Sequence, residues 1–140
     1  GDEAYRDSVK AAIGEKGLTD WVFWQKKAPQ YQMKGVYQQA DFFLLPTEYE
    51  IFGMVLLEAM FFRRVVLTTP NGGADMLLRS GENGIVLEKS DPARWAEALL
   101  DVAADPAKKA RMEQAAYETV IHENTWDALA DRFLKGYETR

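Results

Sequence analysis

Glu50-Ile-Phe-Gly-Met-Val-Leu-Leu-Glu58 decides how this chain folds and where it acts, because an acid stands at each end of it. The apolar run Asp41-Phe-Phe-Leu-Leu45 leads in as a strand, and Pro46-Thr-Glu-Tyr49 makes the turn. The Phe52-Gly53 step then opens a helix from Met54 to about Phe62. Glu50 therefore lies on the loop at the strand's C-terminal end. Glu58 lies within the helix, among Leu56, Leu57, Ala59 and Met60. A helix N-terminus carries backbone N–H groups without intrahelical partners and can hold a phosphate. Carboxylates accept hydrogen bonds from hydroxyls, so the same place can hold a sugar. Together these parts describe a nucleotide-sugar site.

Outward from this stretch, strands alternate with helices. Helical spacing covers Glu3 to Lys16, with Val9, Ala12 and Ile13 on one face and Gly17 as the stop. Trp21-Val-Phe-Trp24 reads as a short buried strand. Pro29 to Gln39 reads as a helix, with Tyr31, Val36 and Tyr37 turned inward. Val65 to Thr68 and Ile85 to Leu87 read as further strands. The near-continuous apolar runs Asp41–Leu45 and Val65–Thr68 suit parallel strands covered on both faces. Asn71-Gly-Gly73 feeds a short helix, Ala74 to Arg79. Asp91-Pro92 and Asp105-Pro106 each place a capping acid before a first-turn proline. Asn124 or Thr125 caps the last helix, where Trp126, Leu129, Phe133 and Tyr137 recur at helical spacing. The expectation is one α/β domain with a parallel, Rossmann-like sheet flanked by helices, carrying Val22–Trp24, Asp41–Leu45, Val65–Thr68 and Ile85–Leu87. Ligands of such sheets bind beyond the strands' carboxyl ends, where the Glu50 and Asn71-Gly-Gly73 loops both fall.

Composition narrows the function. The chain has 140 residues, 47% of them hydrophobic, enough for a globular core. It has no cysteine, which removes disulfides, thiol nucleophiles and thiolate metal sites and suits a reducing cytoplasm. A net charge of −5 argues against nucleic acid as a partner. It does not exclude a small anion, because helix termini act locally. No apolar run approaches the ~18 residues of a membrane span. The single histidine, His122, sits near the end of a C-terminal helix, which argues against a catalytic triad and a histidine metal cluster, and no metal or cofactor is expected. The tryptophans and the Met54/Met60 pair read most simply as core.

The segment Pro46-Thr-Glu-Tyr-Glu-Ile-Phe-Gly-Met-Val-Leu-Leu-Glu-Ala-Met60, in this order of elements, resembles the C-terminal domain of family 4 glycosyltransferases, retaining enzymes of the GT-B fold. The resemblance continues through Val65-Val-Leu-Thr-Thr69, Asn71-Gly-Gly73 and Asn83-Gly-Ile-Val86, so it covers nearly the whole chain, 1–140. It implies that Glu50 accepts hydrogen bonds from donor-sugar hydroxyls and is the catalytic-site acid. It implies that Phe52, Gly53 and Met54 present backbone N–H groups to the sugar or diphosphate and that Val55 packs near the nucleoside. Glu58 would hold the ribose hydroxyls, and Gly72 and Gly73 would border the sugar-phosphate pocket. Lys26 and Lys27 resemble a base-binding loop by position alone. The implied partners are a nucleotide sugar and a saccharide or glycolipid acceptor. The implied setting is cytoplasmic, at the inner membrane's periphery, in polysaccharide assembly such as capsule or lipopolysaccharide.

Some residues depart from the family pattern. Arg63 stands where the helix usually ends in glycine, so that end is expected to close differently. Asp75 and Met76 replace a proline and a glutamate. The family also places two strands, a helix and a basic arginine–lysine pair before the position of Gly1, and an acceptor-binding domain before those. The chain is accordingly expected to be part of a longer enzyme, truncated at its N-terminal strands and inactive by itself. Its unpaired sheet edge is expected to drive dimerisation or strand exchange. The bland readings are a solvent-facing Glu58, a Glu50 that merely favours the helix dipole, and glycines needed only for positive φ. The alternative function is a non-catalytic nucleotide-binding or assembly module; a GT-B epimerase or phosphorylase is weaker still.

Overall fold

The computed structural model describes residues 3–25, 27–47, 49–88 and 91–138. The chain divides into two compact units, Gly1–Met33 and Lys34–Arg140. In the first, helix α1 (Glu3–Glu15) closes as expected at Gly17, whose φ is 65°. The Leu18 N–H reaches the Ile13 carbonyl and the Gly17 N–H the Gly14 carbonyl, both at 3.0 Å. This is the paired closure of a left-handed helix cap.

The expected strand Val22–Trp24 is not a strand. Residues 22–25 are irregular, with Trp21 81% and Phe23 87% exposed. Aromatic and β-branched residues favour a pleated surface, but a strand persists only when a neighbour takes its backbone groups. The first unit holds no other strand among its described residues. Trp24 instead lies 5.7 Å from the Lys10 ammonium. The core reading fails likewise for Trp126, which is exposed.

Helix α2 spans Gln30–Gln39, and its residues from Lys34 onward belong to the second unit. Tyr37 is buried as expected, whereas Tyr31 and Val36 are exposed. Then follow β1 (Phe42–Leu45), α3 (Met54–Phe61), β2 (Val65–Thr68), α4 (Gly72–Leu77), β3 (Ile85–Val86), α5 (Pro92–Ala104) and α6 (Pro106–Glu118). A π-helical turn, Thr119–Glu123, continues α6, and α7 (Trp126–Glu138) ends the described chain. The caps read from sequence hold. Asp91 accepts from the Arg94 N–H at 3.1 Å, Asp105 from Lys108 at 2.9 Å and Thr125 from Ala128 at 3.2 Å.

The sheet is parallel with order β1-β2-β3, three strands rather than the four expected. Phe42 pairs with Val65 and Leu45 with Thr68; Leu67 pairs with Ile85. The central strand β2 is wholly buried, which explains its unbroken Val-Val-Leu run. Val65 and Leu67 pack with Val102 of α5 and Met112 of α6. By strand alternation Val66 and Thr68 face the other way. α3 supplies buried Leu56, Ala59 and Met60. β1 is an edge strand with Leu44 exposed, so it is not covered on both faces as its composition suggested. One edge strand and one buried centre put the β1 and β2 C-terminal ends side by side, and the two loops of interest start there.

Candidate functional site

Polar side chains lock the two loops at their bases. Thr68 Oγ1 donates to the Leu45 carbonyl at 2.9 Å, and Thr69 Oγ1 donates to the Thr47 carbonyl. Asn71 Nδ2 donates to Thr69 O at 2.7 Å and to Thr68 Oγ1 at 3.1 Å. Its Oδ1 accepts from the Ala74 N–H at 2.9 Å. Asn71 thus anchors the loop to β2 and caps α4 at once. This cap starts the helix at Gly72, two residues before Ala74 where the sequence placed it.

The glycines of that loop are needed for space, not for positive φ. A β-carbon on Gly73 would stand 2.7 Å from Gly53 Cα and 2.8 Å from Gly53 N. One on Gly72 would stand 3.0 Å from the Ile51 carbonyl oxygen and 3.2 Å from that of Glu50. Backbone therefore rests on backbone between the two loops. Gly53 itself has φ 64° and ψ 34°, the left-handed conformation glycine adopts without cost, and opens α3 from there.

Glu50 folds back onto this turn. Its Oε1 accepts from the Gly53 N–H at 3.0 Å and from the Phe52 N–H at 3.3 Å. Two of the amides assigned to the ligand by resemblance thus meet the carboxylate assigned to the sugar. Residues at the start of any α-helix, here Met54 and Val55, have N–H groups with no intrahelical acceptor. The side chains of Phe52 and Met54 project outward, 67% and 61% exposed, so Met54 is not core; Val55 is half-buried.

Glu58 lies about one helical turn beyond the α3 N-terminus and is half-buried. The Tyr37 hydroxyl of α2 donates to its Oε2 at 2.9 Å. Tyr37 is 3% exposed, and its ring stacks on Phe62 at 5.5 Å and 13° and tilts against Phe43 at 5.9 Å. Burial, then the Glu58 hydrogen bond and charge, raise the phenol's pKa well above its ordinary value. It stays a donor at any physiological pH. Glu58 is therefore not the solvent-facing acid of the bland reading. The sequence marked Tyr37 as inward but gave no sign that it meets Glu58.

The far end of α3 closes in the glycine manner without glycine. Arg63 has φ 57°, the one non-glycine residue with positive φ among the described residues. Its N–H reaches Met60 O and the Arg64 N–H reaches Ala59 O, each at 2.9 Å. The expected different closure is thus overturned. The Arg63 guanidinium lies 4.0 Å from the Tyr117 ring centroid and also donates to Gln114, contacts that offset the left-handed strain.

The remaining expected residues lie apart. Lys27 is exposed in the first unit; Lys26 lies outside the described residues. Asp75 is an exposed first-turn residue of α4, and His122 is exposed on the π-helical turn. No group of three metal-ligating side chains occurs among the described residues, and no described helix is long and apolar enough to cross a membrane.

The family model described as "Glycosyl transferases group 1" matches residues 1–119. A D-inositol 3-phosphate glycosyltransferase of Thermomonospora curvata is 32% identical over 133 residues, which are 94% of this chain and 30% of that protein. The C-terminal domain of a group 1 glycosyl transferase, LpcC of Francisella tularensis, superposes with a TM-score of 0.81 at 21% identity. That likeness covers 89% of this chain and 65% of the other. HepE of Anabaena, solved in complex with UDP-glucose, has a TM-score of 0.80 at 20% identity over 100% of this chain and 38% of its own. The chain thus spans under a third of the length of this curated relative.

Proposed function

The chain belongs to the group 1 glycosyl transferases, with the fold of a GT-B C-terminal domain, and from that premise we propose that it binds the nucleotide-sugar donor of a retaining enzyme. The observation that carries this reading is the pair of acids flanking the start of α3: Glu50 on the turn before it and Glu58 one turn inside, with the glycine loop resting on the same turn. Phosphate oxygens suit the amides at the start of α3, where the helix partial charge and N–H groups point outward. A donor that takes the Phe52 and Gly53 amides releases Glu50 from them to accept from sugar hydroxyls. Glu58 accepts from the ribose. UDP-glucose in HepE makes UDP sugars the first donors to try.

In this reading negative charge grows on the leaving diphosphate as the glycosidic bond breaks. The α3 N-terminus stabilises it without moving. Glu50 positions the sugar and is not a covalent nucleophile. Sugar transfer to a saccharide or glycolipid acceptor, and the cytoplasmic face of a membrane as its setting, belong to the same proposal.

The test is a pair of substitutions in the full-length protein. Glu58→Ala should weaken nucleotide binding itself, because it removes ribose contacts. Glu50→Ala should lower turnover more than nucleotide affinity. A lost charged hydrogen bond is worth ~1.5–3 kcal/mol, or roughly tenfold to over a hundredfold. Calorimetric titration with UDP, and transfer assays with UDP sugars, separate the two. A folded Glu58→Ala variant with unchanged nucleotide affinity would count against the assignment.

A further inference from the structure

We propose that Tyr37 is a positioning residue for ribose recognition: its hydroxyl, 2.9 Å from Glu58 Oε2, sets the plane of the carboxylate that receives the nucleoside. This rests on the ribose role given above to Glu58.

The terminal torsion of a glutamate is broad, so the carboxylate of an unrestrained Glu rotates freely. A ribose diol needs acceptor lone pairs in defined directions. The restraint must come from a donor that is itself fixed. Tyr37 meets that requirement. Phe62 stacks on its ring, Phe43 tilts against it, and the ring is buried. Two aromatic contacts therefore fix where the hydroxyl stands. The two partners come from different helices, α2 and α3, so the bond also ties the helix bearing Glu58 to its neighbour. The donor is neutral and fixes the carboxylate's plane without cancelling its charge. The phenol remains protonated at neutral pH, so the restraint does not titrate where the enzyme works.

The experiment measures Kd for UDP, ADP and GDP, and for their 2′,3′-dideoxy forms, on the full-length protein by calorimetry. Wild type, Tyr37→Phe and Glu58→Gln are compared, with melting curves for each. Wild type should prefer the ribonucleotide by roughly tenfold or more. Glu58→Gln should remove most of that preference. Tyr37→Phe keeps the ring and its packing. It should lose roughly three- to tenfold in ribonucleotide affinity and nothing in dideoxynucleotide affinity. Loss of both affinities alike would make Tyr37 merely structural and overturn the inference. So would an undiminished ribose preference in Tyr37→Phe while Glu58→Gln loses it. An undiminished preference in Glu58→Gln, or no binding of any of the three nucleotides to wild type, would instead overturn the ribose reading itself. Glu58→Asp withdraws the acid from the hydroxyl without touching the aromatic stack. Adding Tyr37→Phe to it should then cost no further preference; a further loss would contradict the coupling.

Discussion

Alanine in place of Gly73 adds one methyl group at the point where the two loops of the site meet. Its Cβ would stand 2.7 Å from Gly53 Cα, 2.8 Å from Gly53 N and 3.2 Å from Phe52 C. All three are backbone atoms, so no side chain can rotate to make room. Overpacking of this kind costs up to about 3 kcal/mol. Gly73 lies in the first turn of α4 at a negative φ, so alanine also gains up to about 1 kcal/mol of helix propensity. The difference leaves a loss of about 2 kcal/mol, or very roughly 4–8 °C in Tm for a domain of this size. Gly35 is the internal control. It lies inside α2 with nothing outside its own helix backbone and chain neighbours within 4 Å of where a β-carbon would stand, so Gly35→Ala should gain up to about 1 kcal/mol. Urea unfolding followed by far-UV circular dichroism gives both values. The Gly73 loss should be accompanied by weaker UDP binding, because the methyl pushes the Gly53 turn that begins α3. A Gly73→Ala protein as stable as wild type, with its nucleotide affinity intact, would show that the loops separate easily. The close approach would then not hold the site.

Substitutions at two further positions probe the caps. Arg63→Gly should exceed Arg63→Ala in stability by about 1 kcal/mol, since both lose the Tyr117 contact but only alanine keeps the cost of the left-handed conformation; equal urea midpoints would refute the strain argument. Asp105 has its pKa lowered, first by the Lys108 backbone N–H it accepts from, so its folded value lies below its unfolded one. Its contribution is present above the unfolded value and lost as pH falls through the folded value. The stability advantage of wild type over Asp105→Asn should accordingly be flat near neutrality and shrink below about pH 4, the ordinary carboxylate range. Urea midpoints across an acid pH series check it, and an advantage that grows on acidification would reverse the assigned sign.

What could be read from the sequence is what the chain decides locally. Gly53 before an apolar helix, Asp91-Pro92 and Asp105-Pro106 before two others, and the β-branched run of β2 each fix their own backbone within a few residues. Those positions came out as read, and the Gly53 turn places Glu50 just before α3 and Glu58 one turn inside it. What failed depends on a distant partner. Trp21 to Trp24 has strand composition, but pairing is a property of two segments, and no second segment is present among the described residues of its unit. Arg63 looked unfit for a left-handed cap, yet Tyr117, far along the chain, supplies a contact that holds it there. Gly72 and Gly73 were legible as special, but the cause is the backbone of another loop and not their own φ. Tyr37 and Glu58 are 21 residues apart and carry no shared pattern. The division has a consequence for how the site should respond to change. The groups that would touch a ligand are set by local sequence, while the groups that hold them in place come from elsewhere in the fold. Substituting a restraint such as Gly73 or Tyr37 should therefore alter ligand binding while every residue assigned to the ligand stays in the chain.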